Sequence, residues 1–112
     1  MASLNFKDLQ KPTLDLTFAG GPHPVIRVCY PTVDMIEELQ GVDMELLKKG
    51  DRASVRASYD FAAQIISNNR DFITVTGEEL EKTYKLEFYD LILFFKAYMA
   101  YVDEVISENA KN

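Results

Sequence analysis

The side chains in this sequence that can do chemistry are few, and their spacing does not assemble a site. His23 and Cys29 are the single histidine and the single cysteine. His23 lies in the turn "AGGPHP" and Cys29 in an apolar alternating stretch, so a nucleophile–base pair between them has no local support. A metal centre needs several ligands at fitting spacing, which one imidazole and one thiol do not provide. Carboxylates occur in pairs at Glu37/Glu38, Glu78/Glu79 and Asp103/Glu104. Each pair falls at a predicted helix end or outward face, the place of solvated charge rather than of a general acid and base. "AGGPHP" also lacks both phosphate-cradling spacings, G-x-x-x-x-G-K-[ST] and G-x-G-x-x-G. The chain therefore reads as non-enzymatic, with no catalytic, cofactor-binding or metal-binding residues, and as a protein that binds another protein.

Bulk composition narrows the partner. A chain of 112 residues fits one domain, 1–112, and its 47% hydrophobic content is enough for a core. The formal charge is −6, and the basic residues are scattered. Their densest group, Lys48, Lys49, Arg52 and Arg56, has acids on both sides, so no nucleic-acid partner is expected. A lone cysteine forms no intrachain disulfide and suits a reducing cytoplasm. No signal segment is visible, and no apolar run, Leu91 to Phe95 included, approaches the ~20 residues that span a bilayer. A soluble, intracellular protein with no membrane partner is expected.

The elements that would position a binding surface carry their own start and stop signals. Residues 1–11 are polar and weakly patterned, a flexible or loosely docked arm. Leu14, Leu16 and Phe18 alternate with Asp15 and Thr17, the period-two signature of a half-buried strand. The Gly-Pro turn follows, and "VIRVCY" resumes as a second strand up to Pro31, giving a β-hairpin within 13–30. Thr32 is a candidate N-cap for a helix over about 33–40, with Val33, Ile36 and Leu39 inward and Gly41 as its stop. A short helix capped by Asp43 and stopped by Gly50 is expected next. A longer one over about 52–69 has Val55, Tyr59, Ala62 and Ile66 in line, and Arg56 pairs with Asp60 four residues on. Thr76-Gly77-Glu78-Glu79 is a T-x-x-E capping box, with Val75 and Leu80 as a hydrophobic staple, opening a helix over about 77–84. The predicted fold class is α+β, mainly a helical bundle over 32–108 with an N-terminal β-hairpin.

The last predicted helix, about 87–108, carries more apolar surface than one buried face requires. Phe88, Leu91, Ile92, Phe95, Met99, Val102 and Ile106 form a stripe of core-facing width. Phe94, Tyr98, Tyr101 and Val105 form a second group on the adjoining flank. One reading makes this the central helix of the bundle, buried on both flanks. The other leaves Phe94, Tyr98, Tyr101 and Val105 at the surface as a site for a partner or for self-association, a role that suits tyrosine. Leu93, on the polar side, is a further candidate contact.

Two stretches, "LDLTFAGG…VIRVCYPTVDMIEEL" and "FAAQIISNNRDFITVTGEELEKTYKLEFYDLILFFKAYMAYVDEV", resemble the tail assembly chaperones of long-tailed bacteriophages, especially those of Gram-positive hosts. The resemblance covers roughly Leu14 to Val105. It lies in an order of residue classes: a strand pair, a helix straight after it, a helix ending in "IISNN", a capped T-x-E-E-L turn, and an aromatic-rich closing helix. It implies a phage or prophage protein in the cytoplasm of a bacterial host. Such a protein binds the aggregation-prone tape measure protein and keeps it soluble while tail tube subunits assemble, with the tail tube protein as a second candidate partner. The alternative is a structural tail or head-tail connector protein retained in the virion.

Overall fold

Alternation in the N-terminal segment produces a two-stranded antiparallel sheet, β1 (Leu14–Thr17) and β2 (Val25–Val28), in the register Leu14↔Val28 to Thr17↔Val25. The computed structural model describes residues 12–40 and 52–111. The expected arm over 1–11 and the expected helix between Asp43 and Gly50 lie outside the described residues. Four helices follow the hairpin among the described residues: α1 (Val33–Gln40), α2 (Arg52–Ile66), α3 (Gly77–Lys82) and α4 (Phe88–Lys111). The fold is α+β with a helical majority, as the sequence predicts.

The hairpin turn is shaped by Gly21, whose φ of +95° lies in the left-handed region where only glycine is at ease. A Cβ on Gly21 would also run into the Tyr84 ring, and the neighbouring Phe18 ring lies tilted against that ring at 4.7 Å between centroids. The turn is thereby pinned to the segment between α3 and α4.

α2 is the element on which the others pack, touching β2, α3 and α4. Its buried face is Ser58, Tyr59, Ala62, Ala63, Ile65 and Ile66, with Arg56, Asp60 and Gln64 outside. It ends at Ile66, three residues before the expected Asn69, because short polar side chains there compete for the backbone. Ser67 Oγ exchanges hydrogen bonds with the Val75 carbonyl and N–H, both at 3.0 Å. The expected Arg56–Asp60 pair is replaced by a longer-range one: Arg56 reaches Glu81 on α3 at 3.1 Å. α3 approaches α2 so closely that a Cβ on Gly77 would meet backbone atoms of Tyr59 and Asp60.

The start signals at Thr32 and Thr76 are realised as read. Thr32 Oγ1 accepts from the Met35 N–H at 3.3 Å at the head of α1. Thr76 and Glu79 form the reciprocal capping box, each bond 3.1 Å, and both staple residues, Val75 and Leu80, are buried. α3 stops at Lys82 rather than near Tyr84: Lys85 adopts φ +58°, and the Leu86 N–H turns back to the Leu80 carbonyl at 2.9 Å. α1 differs in part: of the expected inward residues Ile36 is half-buried and the Leu39 side chain lies outside what is described, but Val33 faces away. Val33 is 71% exposed, and Met35 takes the buried place, where Asn68 Nδ2 lies 3.7 Å from its sulfur. A helix this short contains too few apolar residues for spacing to define its face.

Candidate protein-binding groove

The flank singled out on α4 is core. Tyr98 is fully buried, and Phe94 and Tyr101 are nearly so, while Val105 is half-buried. The reading that leaves this flank at the surface is therefore corrected. The physical reason is the hairpin, which lies over it. The Tyr101 hydroxyl donates to the Pro12 carbonyl, the Tyr30 ring meets the Tyr101 ring edge-on, and Phe94, Tyr98 and Tyr101 contact one another in sequence along the helix. Leu91, Phe95 and Val102 of the other stripe are buried as well, so α4 is enclosed on both flanks. Burial pushes the phenols of Tyr98 and Tyr101 upward, away from ionisation. Among the described residues the Tyr98 hydroxyl has no hydrogen-bond partner.

Burial also decides the remaining candidates. His23 is exposed and Cys29 is a half-buried free thiol. Among the described residues no three His, Cys, Asp or Glu side chains are grouped to hold a metal ion. No helix among them is long and apolar enough to cross a membrane.

Among the described residues the fold leaves a groove. β1 forms one wall through Asp15 to Ala19, and the start of α4 forms the other through Asp90, Leu93 and Phe94. Tyr84 and Leu86 contribute from the connection between α3 and α4, and the space measures about 450 Å³. Leu86 is fixed because its carbonyl accepts from the Tyr59 hydroxyl of α2 at 2.7 Å. Asp90 is fixed in turn: its carboxylate accepts from the Glu87 N–H at 2.8 Å, at the head of α4. Leu93 is 46% exposed, as its place on the polar side predicts.

The β1 wall carries unused backbone. The Phe18 N–H donates to the Pro24 carbonyl at 2.8 Å, which sets the parity of the ladder. Leu14, Leu16 and Phe18 direct their peptide groups to β2 and their side chains to the core side. Asp15 and Thr17 therefore turn their N–H and C=O groups to the outer edge and their side chains to solvent. Among the described residues nothing pairs with that edge.

The opposite edge is closed. Beyond β2, Cys29 N–H donates to the Asn68 carbonyl at 2.8 Å and Arg70 N–H donates to the Arg27 carbonyl at 3.0 Å. Asp71 adds a bidentate pair with the Arg27 guanidinium and accepts the Arg27 backbone N–H. That pairing holds the Asp71 carboxyl below its ordinary range and raises Arg27. The Asn69 side chain organises the loop, donating to the Ile66 and Ile73 carbonyls and accepting from the Asp71 and Ile73 N–H groups. At the tip of this loop Phe72 sits at φ +56° and is 95% exposed. A bulky aromatic in that conformation is strained, and nothing in the sequence pattern distinguishes it from an ordinary core phenylalanine.

No protein-family model matches the chain, and no curated protein or solved structure matches it.

Proposed function

We propose that the chain is a tail assembly chaperone of a long-tailed bacteriophage, non-enzymatic, working in the cytoplasm of the bacterial host. It binds the tape measure protein and keeps it soluble until tube subunits enclose it. The observation that carries the reading is the groove beside β1, an apolar recess bordered by a strand edge that is unpaired among the described residues, on a chain of net charge −6. A holdase needs open apolar surface for an aggregation-prone client together with enough charge to stay dispersed itself. The resemblance in residue classes from Leu14 to Val105 supplies the identity of the client.

Co-expression with the tape measure protein of the same phage tests the proposal. The expected result is a several-fold rise in soluble tape measure protein, co-purification of the two chains, and absence of this chain from finished particles by mass spectrometry. An unchanged soluble fraction overturns the chaperone role. Finding the chain in purified virions replaces it with a structural tail or connector role.

A further inference from the structure

We infer that the groove binds an extended segment of a client protein as an added antiparallel strand on β1, with apolar side chains at alternate positions and a Lys or Arg opposite Asp15. This deepens the client-binding reading and rests on it only for the source of the segment.

Three independent features converge on one occupant. The first is backbone. Asp15 and Thr17 offer two N–H and two C=O groups in line along an edge that has no lysine, proline or bulge between Leu14 and Thr17 to blunt it. A strand laid there satisfies all four groups, and antiparallel pairing is the stronger arrangement. The second is periodicity. Residues of the added strand opposite Asp15 and Thr17 share their solvent face, so the residues between them point to the core side. There they meet Leu16, Phe18, Tyr84, Leu86, Leu93 and Phe94, in a recess of a size typical of formed binding sites. The third is charge. Asp15 lies across from Arg27, but the Arg27 guanidinium is held by Asp71 at 2.6 Å. Asp15 makes no ion pair among the described residues; its recorded hydrogen bond is from the Thr13 hydroxyl at 2.7 Å. Asp90 adds a second carboxylate to the groove, against one ammonium at Lys85. A basic residue directly opposite Asp15 is favoured and an acidic one repelled. Read along an antiparallel strand from Phe18 to Leu14, the accepted pattern is apolar, any, apolar, basic, apolar.

The test uses the full chain and a twelve-residue peptide with Ile-Thr-Val-Lys-Val at its centre, beside its scrambled form and its Lys-to-Glu form. Amide spectra and hydrogen exchange are recorded at each residue. Binding is expected to shift signals from residues 14–18 and 84–94 and to slow exchange at Asp15 and Thr17. The Lys-to-Glu peptide should bind about tenfold more weakly on wild type, and Asp15→Lys should reverse that preference. Thr17→Pro removes an outward N–H that no ladder bond uses, and should weaken binding at least about tenfold. Leu93→Glu, at an already exposed position, provides a second block that leaves the strand intact. Binding without protection at Asp15 and Thr17, or unaffected by both variants, overturns the proposal.

Other occupants give distinct results. Protection of Asp15 and Thr17 in the free chain that disappears on deleting residues 1–11 assigns the edge to the chain's own N-terminal segment and overturns the proposal. Protection that grows with concentration, alongside dimer by light scattering, assigns it to a second copy and does the same. If Thr17→Pro and Leu93→Glu abolish peptide binding yet still solubilise the tape measure protein, the chaperone role stands and the groove is not its client site. If the peptide binds as described and the client stays insoluble, the groove stands and the chaperone role falls.

Discussion

Along the outer edge of β2, Arg27 and Cys29 commit their backbone groups to Asn68, Arg70 and Asp71, and an ion pair locks the contact. Along the outer edge of β1, Asp15 and Thr17 face an apolar recess with no strand beside them among the described residues. Both edges belong to strands of the same length in one hairpin, so length and propensity do not separate them. The difference comes from what the chain places next to each. The segment after α2 is rich in Ser and Asn, side chains able to end a helix and bond extended backbone. The segment after α3 instead brings Tyr84 and Leu86, apolar groups that line a wall without offering a ladder. An edge closed by polar side chains is structural, and the one bordered by apolar side chains is the edge proposed to take another chain.

The largest expected effect follows from opening the closed edge. Asn69→Ala removes two donors and two acceptors' worth of bonds, leaving the Asp71 and Ile73 N–H groups and the Ile66 and Ile73 carbonyls without this partner. At about 1 kcal/mol net per bond, less for those that water can replace, the cost is about 2–4 kcal/mol in a denaturant titration. Thr17→Pro on the open edge should cost no more than about 1 kcal/mol, because no ladder bond is lost. Equal costs would mean that the β1 edge is engaged in the folded chain.

Gly21→Ala probes the end of the open groove. The substituted residue would keep φ near +95° with its Cβ against the Tyr84 ring, so either the turn or the ring must move. About 2 kcal/mol of stability should be lost, since strain and crowding add. Tyr84 is buried at 3% exposure and helps wall the groove, so its displacement should also weaken peptide binding. Destabilisation with unchanged peptide affinity would detach the turn from the groove.

The contrast between the two edges also marks what the sequence made legible. Alternation predicts both strands, and the caps at Thr32 and Thr76 place two helix starts, because those signals are local. The aromatic surplus of α4 signals a helix of special status but not the reason for it. Whether Phe94, Tyr98 and Tyr101 meet a partner or their own chain depends on where a hairpin some 70–90 positions earlier comes to rest, as the Tyr101–Pro12 bond shows. The groove is likewise invisible in sequence, since Leu16 and Leu86 look like ordinary core residues and Leu93 like a single exposed contact until three separated segments converge. Asn68 and Asn69 fall inside the helix predicted over 52–69, and only the folded chain shows the Asn69 side chain building a turn beyond Ile66.

Phe72 tests whether the closed edge serves structure alone. Phe72→Gly relieves the left-handed conformation and removes no buried contact, so stability should rise by about 1 kcal/mol, visible as a higher midpoint. If this more stable variant also loses capture of the client in the co-expression assay, the closed edge presents a contact of its own. Unchanged capture confines client binding to the β1 side.

The smallest expected effect concerns the ion pair that closes the β2 edge, and pH isolates it. The Arg27 guanidinium holds the Asp71 carboxyl below its ordinary value, so Asp71 binds its proton more readily in the unfolded chain than in the folded one. Its contribution is therefore complete above about pH 4, where the unfolded carboxyl is ionised, and is lost as pH falls further through the lowered folded value. The Arg27 side chain is half exposed, so water and salt screen the pair and its share of stability is modest. Asp71→Asn should thus leave the slope of stability against pH nearly unchanged at neutral pH and flatten it below about pH 4, with the difference shrinking in 0.5 M-scale salt, where the screening length drops to roughly 4 Å. If the acid limb is the same in wild type and variant, the β2 edge is held by its backbone bonds and Asn69 alone, and the ion pair follows the closure instead of enforcing it.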